Sequence, residues 1–150
     1  MKIAYIPDTQ VKHGVNMDHL TACGNYLVEK KPDVIVHAGD HFDMPALSTY
    51  TKAKQIEGRR VLLDLESGYE GMRRLMKPIE DYNKKMKASK RKLYKPEMHF
   101  TLGNHENRLE RYIDSNPAMD GVIEYPQAFR LEQWGWIVHE FLKPVYIGGI

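Results

Sequence analysis

Three short polar stretches carry residue types and spacings that could do chemistry: Asp8-Thr9-Gln10, Gly39-Asp40-His41-Phe42-Asp43 and Gly103-Asn104-His105-Glu106. Each closely follows an apolar run, and together they offer carboxylates, amide oxygens and imidazole. Carboxylates gathered without equal positive charge repel one another unless metal ions neutralise them. Two divalent cations about 3.5–4 Å apart, sharing one bridging carboxylate, would resolve the repulsion and clamp both oxygens of a phosphoryl displacement. Coordination lowers the pKa of water to about 7, so a metal-bound hydroxide is the expected nucleophile. An imidazole beside such ions tends to lose its proton, and a neighbouring carboxylate restores it. Any one stretch is ordinary, since aspartates cap helices and Gly-Asp or Gly-Asn makes turns. All three, in order and each at a strand end, point to a metal site.

The elements that must position these loops are legible from periodicity. Lys2 to Ile6 is a β-prone run that stops at Pro7, and Val34-Ile35-Val36 is a β-branched one. Between them Leu20, Cys23, Leu27 and Tyr26 mark a helix from about Asp18 to Lys30, with Asn16 or Asp18 as N-cap, broken by Lys31-Pro32-Asp33. This is a βαβ unit with parallel strands and a right-handed crossover. Residues 46–92 are expected to be a mostly helical insertion. Leu62, Leu65, Tyr69, Met72, Leu75, Met76, Ile79, Tyr82 and Met86 recur at spacings of three and four, with the methionines as core filling. Pro78 should start a new helix or kink one. Met98 to Leu102 reads as a buried parallel strand, and a helix from about Glu106 to Asp114 follows. Two further strands are expected at Trp134 to Phe141 and Val145 to Ile150. Neighbouring parallel strands lie about 4.8 Å apart, so the loops at their C-terminal ends can converge.

At 150 residues and 42% hydrophobic content, the chain is expected to form one α/β domain over 1–150 with a mostly parallel sheet. A net charge of +2 does not by itself argue for nucleic acid. The single Cys23 excludes a disulfide framework and fits a reducing compartment. No signal peptide and no run of the roughly 20 apolar residues of a membrane span is visible, so no membrane partner and a cytoplasmic location are expected.

The three loops resemble the calcineurin-like metallophosphoesterase superfamily, whose blocks run Asp-x-His, Gly-Asp-x-x-Asp, Gly-Asn-His-Glu/Asp, a lone His and Gly-His-x-His. The continuation Glu106-Asn107-Arg108-Leu109-Glu110-Arg111-Tyr112 looks most like phage-encoded members, which would place the protein in host cytoplasm. The resemblance implies an αββα sandwich, incomplete here at its C-terminus. It implies two divalent metal ions, with Asp8 and Gln10 on the first, Asp40 bridging and Asn104 on the second. Asn104 would also touch the substrate phosphate, and His105, held cationic by Asp43, would protonate the leaving oxygen. Gln10 stands where the family usually has His. Its oxygen favours Mn or Mg over Zn, with Fe and Ni also eligible. Met44-Pro45 follows Asp43, where the serine/threonine protein phosphatases carry Arg-Gly, which counts against that role.

Arg108 is a further candidate for substrate phosphate, as is Arg111, and His41 is a candidate to face substrate from within its loop. His37 reads as a packed core histidine, and His139 as structural or exposed. Lys84, Lys85, Lys87, Lys90, Arg91, Lys92 and Lys95 form a basic run without an acid, able to track a phosphate backbone. The leading expectation is a dinuclear phosphoesterase acting on phosphate mono- or diesters, with a nuclease next to it. The rival is a non-catalytic fragment or binding module, or half of a split enzyme needing a complementing C-terminal segment. The last two family blocks are absent. The chain alone is therefore expected to bind metal weakly, turn over little, and self-associate through a sheet edge at Val145 to Ile150.

Overall fold

Four short strands, Ile3–Ile6 (β1), Val34–His37 (β2), Glu97–Thr101 (β3) and Ile137–His139 (β4), lie side by side in that order, and every pairing is parallel. The computed structural model describes residues 1–50 and 60–149. Three helices connect the strands: α1 (Asp18–Lys30), α2 (Val61–Ala88) and α3 (Asn107–Ser115). This is the expected α/β class, and the described residues hold one sheet of the expected sandwich.

Side chains alternate across a strand, so the pairing register sorts them into two faces. Ile6, Ile35, His37, Met98 and Phe100 fall on one face and are buried, in one core with Leu20 and Leu27 of α1 and Met72, Leu75 and Ile79 of α2. On the other face Val34 and His99 are buried, but Ile3, Tyr5 and Ile137 are 45%, 67% and 48% exposed. Parallel sheets are normally covered on both sides. This one is covered well on one.

Met17, not Asn16 or Asp18, takes the N-cap position of α1, and the Asn16 Oδ1 just before it accepts the Asp18 N–H at 2.7 Å. The segment expected as an insertion serves as the crossover from β2 to β3, with α2 packed along α1; the part of it at 51–59 lies outside the described residues. Within α2, Leu65, Met72, Leu75, Met76 and Ile79 are buried as expected, while Leu62 is exposed. No new helix begins at Pro78, which lies inside α2. Its ring sits where the two helices come closest, against Gly24, whose missing Cβ would lie 2.9 Å from the proline Cγ and 2.3 Å from the Leu75 carbonyl oxygen. Packing on α1 outweighs the one helical hydrogen bond that proline forfeits.

The tail departs from expectation. The strand expected over 134–141 is only Ile137–His139, because Trp134 closes a 3-10 turn at Gly135, whose φ is +89°. Residues 145–149 form no strand, and Ile150 lies outside the described residues. Gly148 and Gly149 both have positive φ, which ends any extended run there. The sheet's edges are therefore β1 and β4. No helix among the described residues is long and apolar enough to cross a membrane.

Candidate functional site

The loops after β1, β2 and β3 are tied together through their backbones. The Gln10 and Val11 N–H groups donate to the Asp40 and His41 carbonyls at 2.8 and 2.7 Å, and the Asp43 N–H returns to the Val11 carbonyl at 3.0 Å. From the other side, the His105 N–H donates to Asp40 Oδ1 at 2.9 Å. Asp40 thus lies between the loops bearing Asp8 and Gln10 and the loop bearing Asn104. Gly103 makes this possible, since a Cβ there would fall 2.1 Å from Asp40 Oδ1. Gln10 and Asp40 hold φ of +42° and +50°, a region ordinary L-residues avoid at a cost of about 1 kcal/mol or more. Such strain persists where the surroundings over-determine the backbone.

Glu106 does much of that. Fully buried, it accepts the N–H groups of Asp40, His41, Phe42 and Gly103 at 2.8–2.9 Å, locking two loops onto one carboxylate. Burial pushes its pKa above the usual carboxylate range, and the N–H bonds oppose that rise. Glu106 has no role among the residues the sequence singles out. One signal was available: it shares a helical face with Leu109 and Ile113, the inward face of α3.

His41, expected to face substrate, is instead wholly buried, with both ring nitrogens engaged inside the protein. A directional chain explains it. The Gly39 N–H lies 3.1 Å from His37 Nδ1, His37 Nε2 lies 3.3 Å from Thr9 Oγ1, Thr9 Oγ1 lies 2.7 Å from His41 Nδ1, and His41 Nε2 lies 2.9 Å from the Gly68 carbonyl. An N–H can only donate and a carbonyl only accept. Both ends therefore require a proton on Nε2 of each neutral ring, and the threonine hydroxyl donates to His41. Burial foremost lowers the pKa of both, that of His41 to about 4. His37 is the core histidine expected, stacked on Phe100 at 4.6 Å.

His105 and Asp43 come together: Nδ1 lies 2.8 Å from Asp43 Oδ1, at ion-pair distance though without hydrogen-bond alignment. Lys12 Nζ reaches Asp43 Oδ2 at 3.0 Å. Arg108 donates through Nη1 to the Asp43 carbonyl at 2.7 Å, and its Nη2 lies 3.0 Å from His105 Nε2. Arginine cannot accept, so in this conformation Nε2 accepts and the ring proton sits on Nδ1. Arg108, read as a phosphate ligand, here covers the outer nitrogen of His105. His139 pairs with His99 through Nε2 and Nδ1 at 2.8 Å, and burial foremost lowers its pKa.

Asp40 is buried, and no lysine or arginine among the described residues pairs with it. The side chains of Asp8, Gln10 and Asn104 are exposed and engage no described residue by hydrogen bond or ion pair. Asp40 is a buried carboxylate without a cationic partner, and the loops tied to its own carry the free oxygens of Asp8, Gln10 and Asn104, donor types that suit a hard divalent cation. The set holds only two carboxylates, and no group of three His, Cys, Asp or Glu side chains able to hold a metal exists among the described residues. The residues fit the oxygen-donor part of a metal centre.

A family model described as calcineurin-like phosphoesterase matches residues 1–148. The chain is also 29% identical over 132 residues to the gene 54 protein of Mycobacterium phage L5 and 27% identical over 132 residues to that of Mycobacterium phage D29. Each match covers 87% of this chain and 45% of the relative, so the chain spans about half the length of these relatives.

Proposed function

Since the chain belongs to the calcineurin-like phosphoesterase family, we propose that its three joined loops form part of a metal-dependent phosphoesterase centre. The observation that carries this reading is Asp40, buried without a cationic partner between loops that present free oxygens from Asp8, Gln10 and Asn104. These four side chains would hold two divalent ions, Mn by preference among Mg, Fe, Ni and Zn, with Asp40 shared. Bound there, the ions supply neutralisation of the carboxylates and activation of water at neutral pH.

The chain's own residues do the rest. Asn104 orients the phosphate, Asp43 keeps the His105 ring in place, and His105 gives a proton to the leaving oxygen. Because Arg108 covers Nε2, it must swing aside so that Nε2 takes up a proton from solvent before giving it to the leaving oxygen, and the move leaves the guanidinium free for a phosphate oxygen. Phosphate mono- and diesters both suit this chemistry, with nucleic acid one of the diesters.

A second reading is favoured by the short donor set and the span of the relatives: half of a centre, completed by ligands from a further segment. Isothermal titration with MnCl₂, wild type against Asp40→Asn, tests the shared premise. Binding that is weak, lost in Asp40→Asn and tightened by an added segment supports the proposal. Equal Mn uptake by both proteins rejects it. Where turnover is measurable, His105→Ala slows it by about 10²–10⁴-fold, and by less for p-nitrophenyl esters, whose leaving group needs little protonation.

A further inference from the structure

The segment 84–95 holds seven of the chain's 22 lysines and arginines and none of its 20 acids, so a protein of net charge +2 concentrates +7 in twelve residues. Among the described residues, Lys84 makes the one ion pair in this run, to Asp81 at 3.9 Å. The run closes α2 and turns into β3, beside a cleft of about 880 Å³ lined by Lys31, Tyr82, Arg91, Lys92, Tyr94 and Lys95. Asp33, which also lines it, is occupied by the Lys2 backbone N–H at 2.6 Å.

The segment is held in shape. Lys90 and Arg91 donate their N–H groups to the Lys87 and Met86 carbonyls, the paired bonds that close a helix through a left-handed residue. The Asn83 amide grips both backbone groups of Tyr94 at 2.8 Å, and Tyr94 Oη donates to the Pro32 carbonyl. Lys90 and Lys31 both stand at helix C-termini with φ of +54° and +47°, positions where glycine is the comfortable residue. Lys31 in the cleft and Lys90 in the adjoining basic run thus stand where the backbone alone would favour glycine.

We propose that this basic cleft binds the phosphodiester backbone of nucleic acid, at a site separate from the loops described above. The cleft lies before the N-terminal ends of β2 and β3, whereas the loops follow their C-terminal ends. Strands of four and five residues separate the two by about 15 Å. Seven cations along a helix end and a fixed turn match a row of phosphates better than one small anion. A lipid surface fits less well, because Met86, Leu93 and Tyr94 are half-buried and leave no exposed apolar anchor. Tyr82 and Tyr94 are engaged with the protein, so the recognition is of backbone charge, not of sequence.

Fluorescence anisotropy with a labelled DNA duplex of about 20 base pairs, in EDTA and between about 50 and 200 mM KCl, tests this independently of any phosphoesterase centre. Expected is binding with Kd of about 10⁻⁴–10⁻⁶ M that weakens steeply with salt. The triple variant R91S/K92S/K95S should bind at least about tenfold more weakly, with a salt slope shallower by about 2–3. Lys90→Gly guards against misfolding: it should bind more weakly while melting no lower than wild type. Undiminished binding by the triple variant overturns the proposal, as does the absence of binding at the lowest salt. Preference for phosphatidylserine vesicles or polyglutamate, uncompeted by DNA, overturns it too.

Discussion

Glu106 accepts four backbone N–H groups, and an ionised carboxylate has about four lone-pair sites to offer. An amide cannot replace it, because its NH₂ would face a donor. Glu106→Gln is expected to lower stability by about 2–4 kcal/mol in urea unfolding, the cost of leaving buried N–H groups unpaired. A loss below about 0.5 kcal/mol would mean the loops hold one another without it. The His37–Thr9–His41 chain gives a second test. Thr9→Val removes a hydroxyl that serves both rings and should cost about 1–3 kcal/mol. The pH dependence has a definite sign. His41 has a folded pKa of about 4 against about 6.5 unfolded, so the unfolded chain binds more protons within that window. Its contribution to stability is complete above about 6.5 and falls by roughly 3 kcal/mol as pH drops to 4. Glu106, with a pKa raised foremost by burial, works in the opposite sense as pH rises above its unfolded value, so the histidines are best followed directly. Imidazole ¹⁵N spectra should show His37 and His41 neutral, with Nε2 protonated, at pH 5. Charged rings there would contradict the chain.

At the scale of elements, α2 works as a bed for the loops as well as a crossover. Gly68 and Gly71 lie one turn apart on its buried side. A Cβ at Gly68 would fall 2.0 Å from the Phe42 ring, and one at Gly71 would fall 2.8 Å from Val11 Cγ2. The helix therefore presents bare backbone to the segments that carry Asp40 and Gln10. It also presents the Gly68 carbonyl to His41. Gly68→Ala must displace Phe42, and with it the 40–43 loop. We expect a loss of about 1–3 kcal/mol despite alanine's better helix propensity, read by thermal melting. Mn affinity should drop with it. A more stable Gly68→Ala protein would show that the loop has room to move.

At the scale of the molecule, the described residues leave one face of the parallel sheet partly open. Tyr5, Val36, His99 and Ile137 form a row straight across it, and the outer two are 67% and 48% exposed. Apolar side chains in such a row favour contact with a second copy or a further layer. The chain is expected to self-associate through this face at high concentration. Tyr5→Lys with Ile137→Lys should shift sedimentation toward monomer without lowering the melting temperature. An unchanged association would move the contact elsewhere, to the edges of β1 or β4.

What the sequence determined by itself was local or periodic. The span of α1 followed from its apolar spacing, the parallel strands from β-branched runs with a helix between them, and the order of the three loops from Gly-Asp and Gly-Asn at strand ends. Neighbouring residues set these features through backbone conformation, so they could be read one stretch at a time. Glu106 under the 40–42 backbone, Thr9 between two histidines, and Arg108 over His105 and Asp43 were decided only in three dimensions. All three join groups far apart in the chain, and no spacing names their partners. The tail shows the same limit from the other side. Val145 to Ile150 reads as a strand, but hydrophobicity does not make one where Gly148 and Gly149 adopt positive φ and no strand among the described residues pairs with it.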